Sequence, residues 1–260
     1  MDIAQELNDR YGKGYLSYSS IKQAINDIAL FDAYMRKVKQ YDSEALRFGT
    51  LYDMLLFEPD KAYETYKVVN EEEIRSKLSD KARSSKNYKL TTEYKTAKAA
   101  MEADAVEKGI TLVSSEDWQT ANDMIMRLHD AKLIERFMTG QYQVKIEKEI
   151  FGVPIKGYLD CLGDGYVTDS KSSKSVLGFR WDVGKYSYDI QAYIYTQATG
   201  INDFYWVVQE KVFPYTPAIV TCSEETLFKG EMKFKEGVSR IKRFLKDGDE
   251  PSQDYMEYTV

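Results

Sequence analysis

The spacing of hydrophobic positions changes near Gly140. Before it, apolar residues recur every three to four positions, which is typical of amphipathic helices. One such run is Ile21, Ile25, Ile28 and Phe31. From residue 141, polar and apolar residues alternate, which is typical of strands. The pattern therefore predicts a mainly helical part over residues 1–139 and an α/β part over residues 140–250.

Four helices are predicted in the first part, and three of them have start signals, which for the fourth are Ser115 and Glu116. Ser17 or Ser19 can cap the first, while Ser43 begins and Pro59 stops the second. The lysine-rich run from residue 77 to residue 89 is predicted to be solvated and mobile. The four predicted helices span residues 19–38, 43–60, 91–109 and 115–138.

The second part is predicted to contain five strands and two helices. Gly163, Asp164 and Gly165 separate the second and third strands, which indicates a hairpin. The predicted strands are 141–152, 153–163, 164–172, 203–215 and 216–223, and the helices are 186–200 and 224–248. We expect one α/β domain over residues 1–260, with a loose tail over residues 251–260.

Composition and charge restrict the function. The net charge of −6 argues against non-specific coating of nucleic acid, so any DNA contact must be local. Cys161 and Cys222 lack metal-site spacing and are predicted to be buried thiols. His129 stands alone, so a histidine-based metal site is hard to assemble, and we expect it on a helix surface or in helix packing. No apolar run reaches 18 residues and no signal peptide is evident, so we expect a cytoplasmic protein without a membrane segment.

Two aspartates and a lysine form the candidate chemistry. Asp160 and Asp169 end the two strands of the predicted hairpin, and Lys171 shares the strand face of Asp169. Two converging carboxylates favour a Mg²⁺ or Mn²⁺ ion, and the lysine could orient a water molecule. Glu147 on the preceding strand could supply a third carboxylate. The alternative is that the aspartates only cap strands and that Lys171 is solvated.

A glutamine and a tyrosine extend this pattern. Gln191 and Tyr195 lie four residues apart on a predicted helix and therefore share one face. An amide and a phenol beside an acidic site can contact a phosphate or a metal-bound water. By themselves they would more often be a surface pair.

These residues resemble the PD-(D/E)xK nuclease superfamily, and within it the phage and prophage exonucleases of the exonuclease VIII (RecE) type, which are related to the lambda-type exonuclease. The similarity covers residues 16–60 and 140–212. Its motifs are "YLSYSSIKQAI", "RFGTLYDMLLFEPD", "EKEIFGVPIKGYLD", "DSKSSKS" and "QAYIY". The resemblance implies a restriction-endonuclease-like core, a central mixed sheet flanked by helices, with a helical N-terminal part.

The resemblance also implies roles for individual residues. Asp160, Asp169 and the Ser170 carbonyl would bind one or two Mg²⁺ or Mn²⁺ ions. Asp53 would join them, at the position of a family histidine, unless the register shifts to Tyr52. Lys171 would position the attacking water, while Gln191 and Tyr195 would hold the DNA strand and the nucleophile. Glu147 would hold a water or a second metal ion.

A family member of this type digests one strand of linear double-stranded DNA from its ends. The resemblance also implies a closed ring of identical subunits and a single-strand annealing protein as partner. The inner wall of the ring would be basic, with Lys174, Arg180 and Lys185 as DNA-binding candidates, together with Lys145 and Lys156. Two alternatives are an endonuclease of the same superfamily and a catalytically silent module that binds DNA ends.

Overall fold

The computed structural model describes residues 2–38 and 43–247. The described residues form two compact units, one of residues 2–38 and 128–247 and one of residues 43–127. The tail over residues 251–260 lies outside the described residues. The assignment of the whole chain to one domain stays a prediction.

Thirteen α-helices and seven strands are assigned along the described chain. In order they are α1 (Ile3–Tyr11), α2 (Tyr18–Asn26), α3 (Ile28–Met35), α4 (Glu44–Phe57), α5 (Pro59–Thr65), β1 (Tyr66–Val68), α6 (Glu71–Ser76), α7 (Asp80–Arg83), a 3₁₀ turn (Tyr88–Leu90), α8 (Thr92–Glu107), β2 (Thr111–Val113), α9 (Ser115–Asp130), α10 (Leu133–Phe137), β3 (Gln141–Ile150), β4 (Val153–Leu162), β5 (Val167–Ser173), α11 (Phe179–Lys185), α12 (Tyr188–Thr199), β6 (Phe204–Glu210), β7 (Pro217–Thr221) and α13 (Glu224–Asp247).

The first unit is built on a mixed five-stranded sheet in the order β3-β4-β5-β6-β7. Only β5 and β6 pair in parallel, and the chain crosses between them through α11 and α12. The five predicted strands and the β4–β5 hairpin are confirmed. Helix α11 is missing from the sequence-based prediction. The predicted mixed α/β class is confirmed.

Helices from both ends of the chain cover this sheet. Their apolar side chains share one core with the strands, including Ile21 of α2, Ile155 of β4, Ile194 of α12, Trp206 of β6 and Phe234 of α13. Each of these five side chains is almost fully buried. Burial of a side chain of this size contributes about 1.5–3 kcal/mol. The N-terminal helices α1–α3 thus belong to the same compact unit as the sheet.

Gly230 lets α13 pack directly on the backbone of α12. A Cβ atom at Gly230 would lie 2.1 Å from the Asp189 carbonyl oxygen. We therefore expect Gly230→Ala to lower the free energy of unfolding by about 1–3 kcal/mol, because α13 must move away. Gly184→Ala is the matched control, since a Cβ there meets nothing within 4 Å. Chemical denaturation of both variants measures the effect, and equal stabilities would contradict the packing argument.

The second unit has its own small core. Strands β1 and β2 pair in parallel, and Ile74, Leu78, Ala82 and Tyr94 form a buried cluster. The prediction of a solvated segment over residues 77–89 is therefore wrong at Leu78 and Ala82. Ile74, Leu78 and Ala82 are spaced four residues apart, but the residues between them are charged or polar, so the sequence alone indicates a polar segment.

Two predicted helices are each broken in two. The first is interrupted at Asp27, whose side chain accepts a hydrogen bond from the Ala29 amide and so caps α3. The predicted helix over residues 115–138 is interrupted at Lys132, which has a left-handed φ of 55°. Within residues 2–38 and 43–247, no helix has the length and apolar character needed to cross a bilayer.

Candidate active site

Strands β4 and β5 bring Asp160 and Asp169 together. The antiparallel register sets Cys161 opposite Thr168, and continued by one residue it sets Asp160 opposite Asp169. The Ser170 amide donates a hydrogen bond to Asp160 Oδ2 at 2.9 Å. Asp169 is almost fully buried, whereas Asp160 keeps some contact with solvent. The hairpin therefore produces the carboxylate pair that the sequence predicts.

Burial and the charge of Asp169 oppose the ionisation of Asp160. Burial, followed by the charge of Asp169, raises the pKa of Asp160 to about 7. Burial also raises the pKa of Asp169, against the opposing effect of Lys171. Two neighbouring carboxylates are stable together only if a cation lies close to them. The site thus carries an excess of negative potential when both groups are ionised.

Lys171 supplies one cation to this pair. Its ammonium forms an ion pair with Asp169 Oδ2 and donates to the Ser170 carbonyl oxygen at 3.3 Å. It also lies 5.0 Å from the centroid of the Tyr188 ring. Burial disfavours the ammonium, but the two carboxylates outweigh burial and raise the pKa of Lys171. Lys171 is therefore charged, and its position is fixed by contacts on several sides.

Helix α12 places Gln191 and Tyr195 against Asp169. Gln191 Nε2 donates to Asp169 Oδ1 at 2.8 Å and to the Tyr195 hydroxyl at 3.3 Å. Gln191 Oε1 is buried and has no hydrogen-bond partner among the described residues. The Tyr195 ring packs over Gly157 of β4, where a Cβ would lie 3.2 Å from the ring. The glutamine thus orients one carboxylate and keeps an acceptor available.

Three neighbours of the cluster were missed by the sequence-based prediction. The first is Gln143, whose Nε2 is 3.4 Å from Asp160 Oδ1, and the second is Tyr188, whose ring faces Lys171. The third is Tyr18: burial raises its pKa, and the charge of Lys171 opposes that increase. Tyr188 lies three residues before Gln191 on α12, so helical spacing could have identified it. Nothing local in the sequence indicates the other two.

The structure does not bring Glu147 to the carboxylate pair. Its carboxylate is exposed and binds Lys145 Nζ at 2.6 Å and Lys156 Nζ at 3.4 Å. Glu147 lies four residues from Gln143 along β3, so about 13 Å of strand separates the two positions. The lysine contacts lower the pKa of Glu147, beginning with Lys145.

The remaining predicted residues lie on other elements. Asp53 is on α4, in the second unit. Lys174, Arg180 and Lys185 are exposed on the segment that follows β5. The Arg180 guanidinium lies 5.1 Å from the Trp181 ring and Lys185 Nζ lies 5.0 Å from the Tyr186 ring. Cys161 and Cys222 are free and buried, and His129 is exposed, all as predicted.

The donor set at the pair suits a hard divalent cation. Two carboxylates are adjacent, and among the described residues one ammonium, that of Lys171, forms an ion pair with them. Within residues 2–38 and 43–247, no group of three or more His, Cys, Asp or Glu side chains could hold a metal ion. Mg²⁺ is commonly held by one or two carboxylates, with waters and substrate phosphates completing its shell. Asp160 and Asp169 fit that type of binding.

Comparison with known families and structures finds proteins that are similar to this chain. A family model described as "PDDEXK-like domain of unknown function (DUF3799)" matches residues 17–259. No curated protein matches the chain. The crystal structure of a "putative exonuclease" from Eubacterium rectale is similar, with a TM-score of 0.65 and 16% identity over 98% of this chain and 92% of that chain. This similarity shows a shared fold.

A second solved structure is more distant. It is a phage related exonuclease from Haemophilus somnus 129PT, with a TM-score of 0.33 and 14% identity over 62% of this chain and 86% of that chain. The fold assignment therefore depends on the first structure and on the family model.

Proposed function

The chain belongs to the family of PDDEXK-like domains, and so to the PD-(D/E)xK nuclease superfamily, and we propose that it is a metal-dependent deoxyribonuclease. Specifically, it would degrade one strand of linear double-stranded DNA from an end, in the 5′→3′ direction. The observation that carries this proposal is the contact set of Asp160, Asp169, Lys171 and Gln191 on adjacent elements. Metal-dependent phosphodiester hydrolysis uses such a combination of anionic metal ligands and a fixed cation.

Each side chain has a distinct role in this proposal. Asp160 and Asp169 would hold one or two Mg²⁺ or Mn²⁺ ions, with the Ser170 carbonyl as a further proposed ligand. When bound, the metal would supply Lewis-acid stabilisation of the phosphate charge. Lys171 would orient the attacking water and stabilise negative charge on the phosphate. Gln191 would fix Asp169 and accept a hydrogen bond through Oε1, and Tyr195 would hold Gln191.

The proposal includes the assembly in which the enzyme works. With a net charge of −6, DNA contacts would be concentrated on a local basic surface that includes Lys174, Arg180 and Lys185. A closed ring of identical subunits would place this surface around the duplex. The single strand left by digestion would pass to a phage-type annealing protein in the cytoplasm.

The pH dependence of metal binding follows from Asp160. Its pKa of about 7 means that the folded protein must release a proton before Asp160 can bind a cation. We therefore expect Mn²⁺ to bind about tenfold more tightly at pH 8 than at pH 6. Calorimetric titration of the wild type measures this ratio, with Asp160→Asn as the control that lacks the group. Affinity that is unchanged over this range would contradict the assignment of Asp160 as a ligand.

End-labelled substrates test the proposed activity. Linear duplex, closed-circular duplex and single-stranded DNA are each incubated with Mg²⁺ or with EDTA. On a linear duplex whose complementary strand has a blocked 5′ end, the expected result is metal-dependent loss of the 5′-labelled strand, with the complementary strand surviving. Nicking of the closed circle would instead identify an endonuclease. Binding of DNA ends without cleavage of any substrate would identify the catalytically silent module.

A further inference from the structure

Lys22 lies beside the candidate active site on α2. It follows Tyr18 by four residues, so the two side chains share one helical face. Its ammonium is 5.9 Å from the Tyr18 ring centroid and 5.6 Å from the Tyr186 ring centroid. The Tyr18 hydroxyl donates to the Tyr186 carbonyl oxygen at 2.6 Å, which ties the two aromatic residues together. Lys22 is therefore held over two rings at a defined position.

The positive charge of Lys22 is not balanced by a carboxylate of the described residues. No carboxylate among the described residues forms an ion pair with it, although it is partly buried. Burial, and then the like charge of Lys171, lower the pKa of Lys22. By contrast, the partly buried ammonium of Lys233 binds Asp189 Oδ2 at 2.6 Å. Lys22 thus has aromatic neighbours and a nearby second cation, but no anionic partner within residues 2–38 and 43–247.

A phosphate group of a bound DNA strand would supply the anionic partner that Lys22 lacks among the described residues. Lys171 already has Asp169 as its partner, whereas Lys22 has all its ammonium donors available for a ligand. Phosphate is the recurrent anion of a nucleic-acid strand, and ammonium groups bind it as point charges. The partly exposed Tyr186 ring lies 5.7 Å from the Tyr188 ring, which gives the site an aromatic wall as well.

We propose that Lys22 binds a phosphate group of the DNA strand next to the phosphate that is cleaved. This inference rests on the proposed nuclease function and adds a substrate-binding residue on α2. The phosphate is either an internal phosphodiester or the phosphate at a 5′ end, because both present the same oxyanion chemistry. The contact would place the strand in register with Asp160, Asp169 and Lys171.

Binding measured without cleavage tests this inference. Fluorescence anisotropy of a labelled linear duplex is measured in EDTA over a range of salt concentrations. Lys22→Met is expected to weaken binding about five- to tenfold and to reduce the slope of log K against log[salt] by about 0.9, which is the loss of one phosphate contact. Lys22→Arg should retain both values. Lys229→Met is the matched control, since Lys229 is an exposed helical lysine paired with Glu225.

The substrate ends separate the two sources of phosphate. A defect seen only with 5′-phosphorylated duplex supports the terminal phosphate, and an equal defect with 5′-hydroxyl duplex supports an internal one. Affinity and slope equal to those of the wild type, in a variant with wild-type thermal unfolding, would overturn the role of Lys22. That failure is distinguishable from failure of the proposed function, in which the wild type itself would cleave no DNA in Mg²⁺.

Discussion

Replacement of Lys171 by methionine is expected to slow cleavage of linear duplex DNA by about a thousandfold. Methionine preserves the length and apolar stem of the side chain but removes the ammonium that contacts Asp169 and the Ser170 carbonyl. The lost cation would act mainly on the transition state, so DNA binding should change by less than about threefold. Single-turnover cleavage rates and anisotropy in EDTA measure the two quantities separately.

Lys229→Met is the control for this result. Lys229 is an exposed lysine on α13. Its replacement removes a surface ion pair with Glu225, which contributes about 0–1 kcal/mol to the free energy of unfolding. It should cleave DNA at the wild-type rate. Cleavage by Lys171→Met within tenfold of the wild type would remove Lys171 from the mechanism. A parallel loss of DNA binding would instead show that the ammonium serves substrate binding.

Asp160→Asn is expected to abolish metal-dependent cleavage and, in EDTA at pH 8, to make the protein more stable than the wild type. The wild-type carboxyl has a pKa of about 7 in the folded protein, above its ordinary value of 3.8. Between these two values the folded state binds more protons than the unfolded state, so the stability of the metal-free protein falls as pH rises. Asparagine removes this partly buried charge, and its side-chain oxygen can still accept a hydrogen bond from the Ser170 amide.

The stability gain has a defined pH window. It should be on the order of 1–3 kcal/mol above pH 7, and it should disappear below about pH 4, where both proteins are uncharged at this position. Thermal unfolding in EDTA at pH 4, 6 and 8 measures it, provided that the unfolding is reversible at each pH. An Asn variant that is less stable than the wild type at pH 8 would show that Asp160 is structural and already balanced by Lys171.

Some of the site was accessible from the sequence because its parts are local. The Gly-Asp-Gly turn and the alternating strands around it set Asp160 and Asp169 near each other, and the structure has this hairpin. The four-residue spacing of Gln191 and Tyr195 predicts one helical face, and α12 presents both toward Asp169. Periods of two and 3.6 residues require no knowledge of the rest of the chain.

Other parts depend on contacts between distant segments, which a single sequence does not reveal. Lys22 and Tyr18 come to the site from α2, more than 140 residues before Lys171, because Ile21 on the same helix packs into the sheet core. The break at Asp27 replaces one predicted helix with two, since the aspartate side chain caps α3. The many charged residues of the segment over residues 77–89 do not indicate that Leu78 and Ala82 are buried, because their burial depends on Tyr94 of α8.

We propose that Asp160, Asp169 and Lys171 together catalyse DNA hydrolysis with a bound divalent cation. The most direct measurement is the release of acid-soluble nucleotides from linear duplex as Mg²⁺ or Mn²⁺ is titrated into the wild type and into Asp169→Asn. We expect saturable, EDTA-reversible release by the wild type and none by the variant, while both bind the duplex in EDTA. Release that is equal in the two proteins, or that continues in EDTA, would contradict the proposed active site.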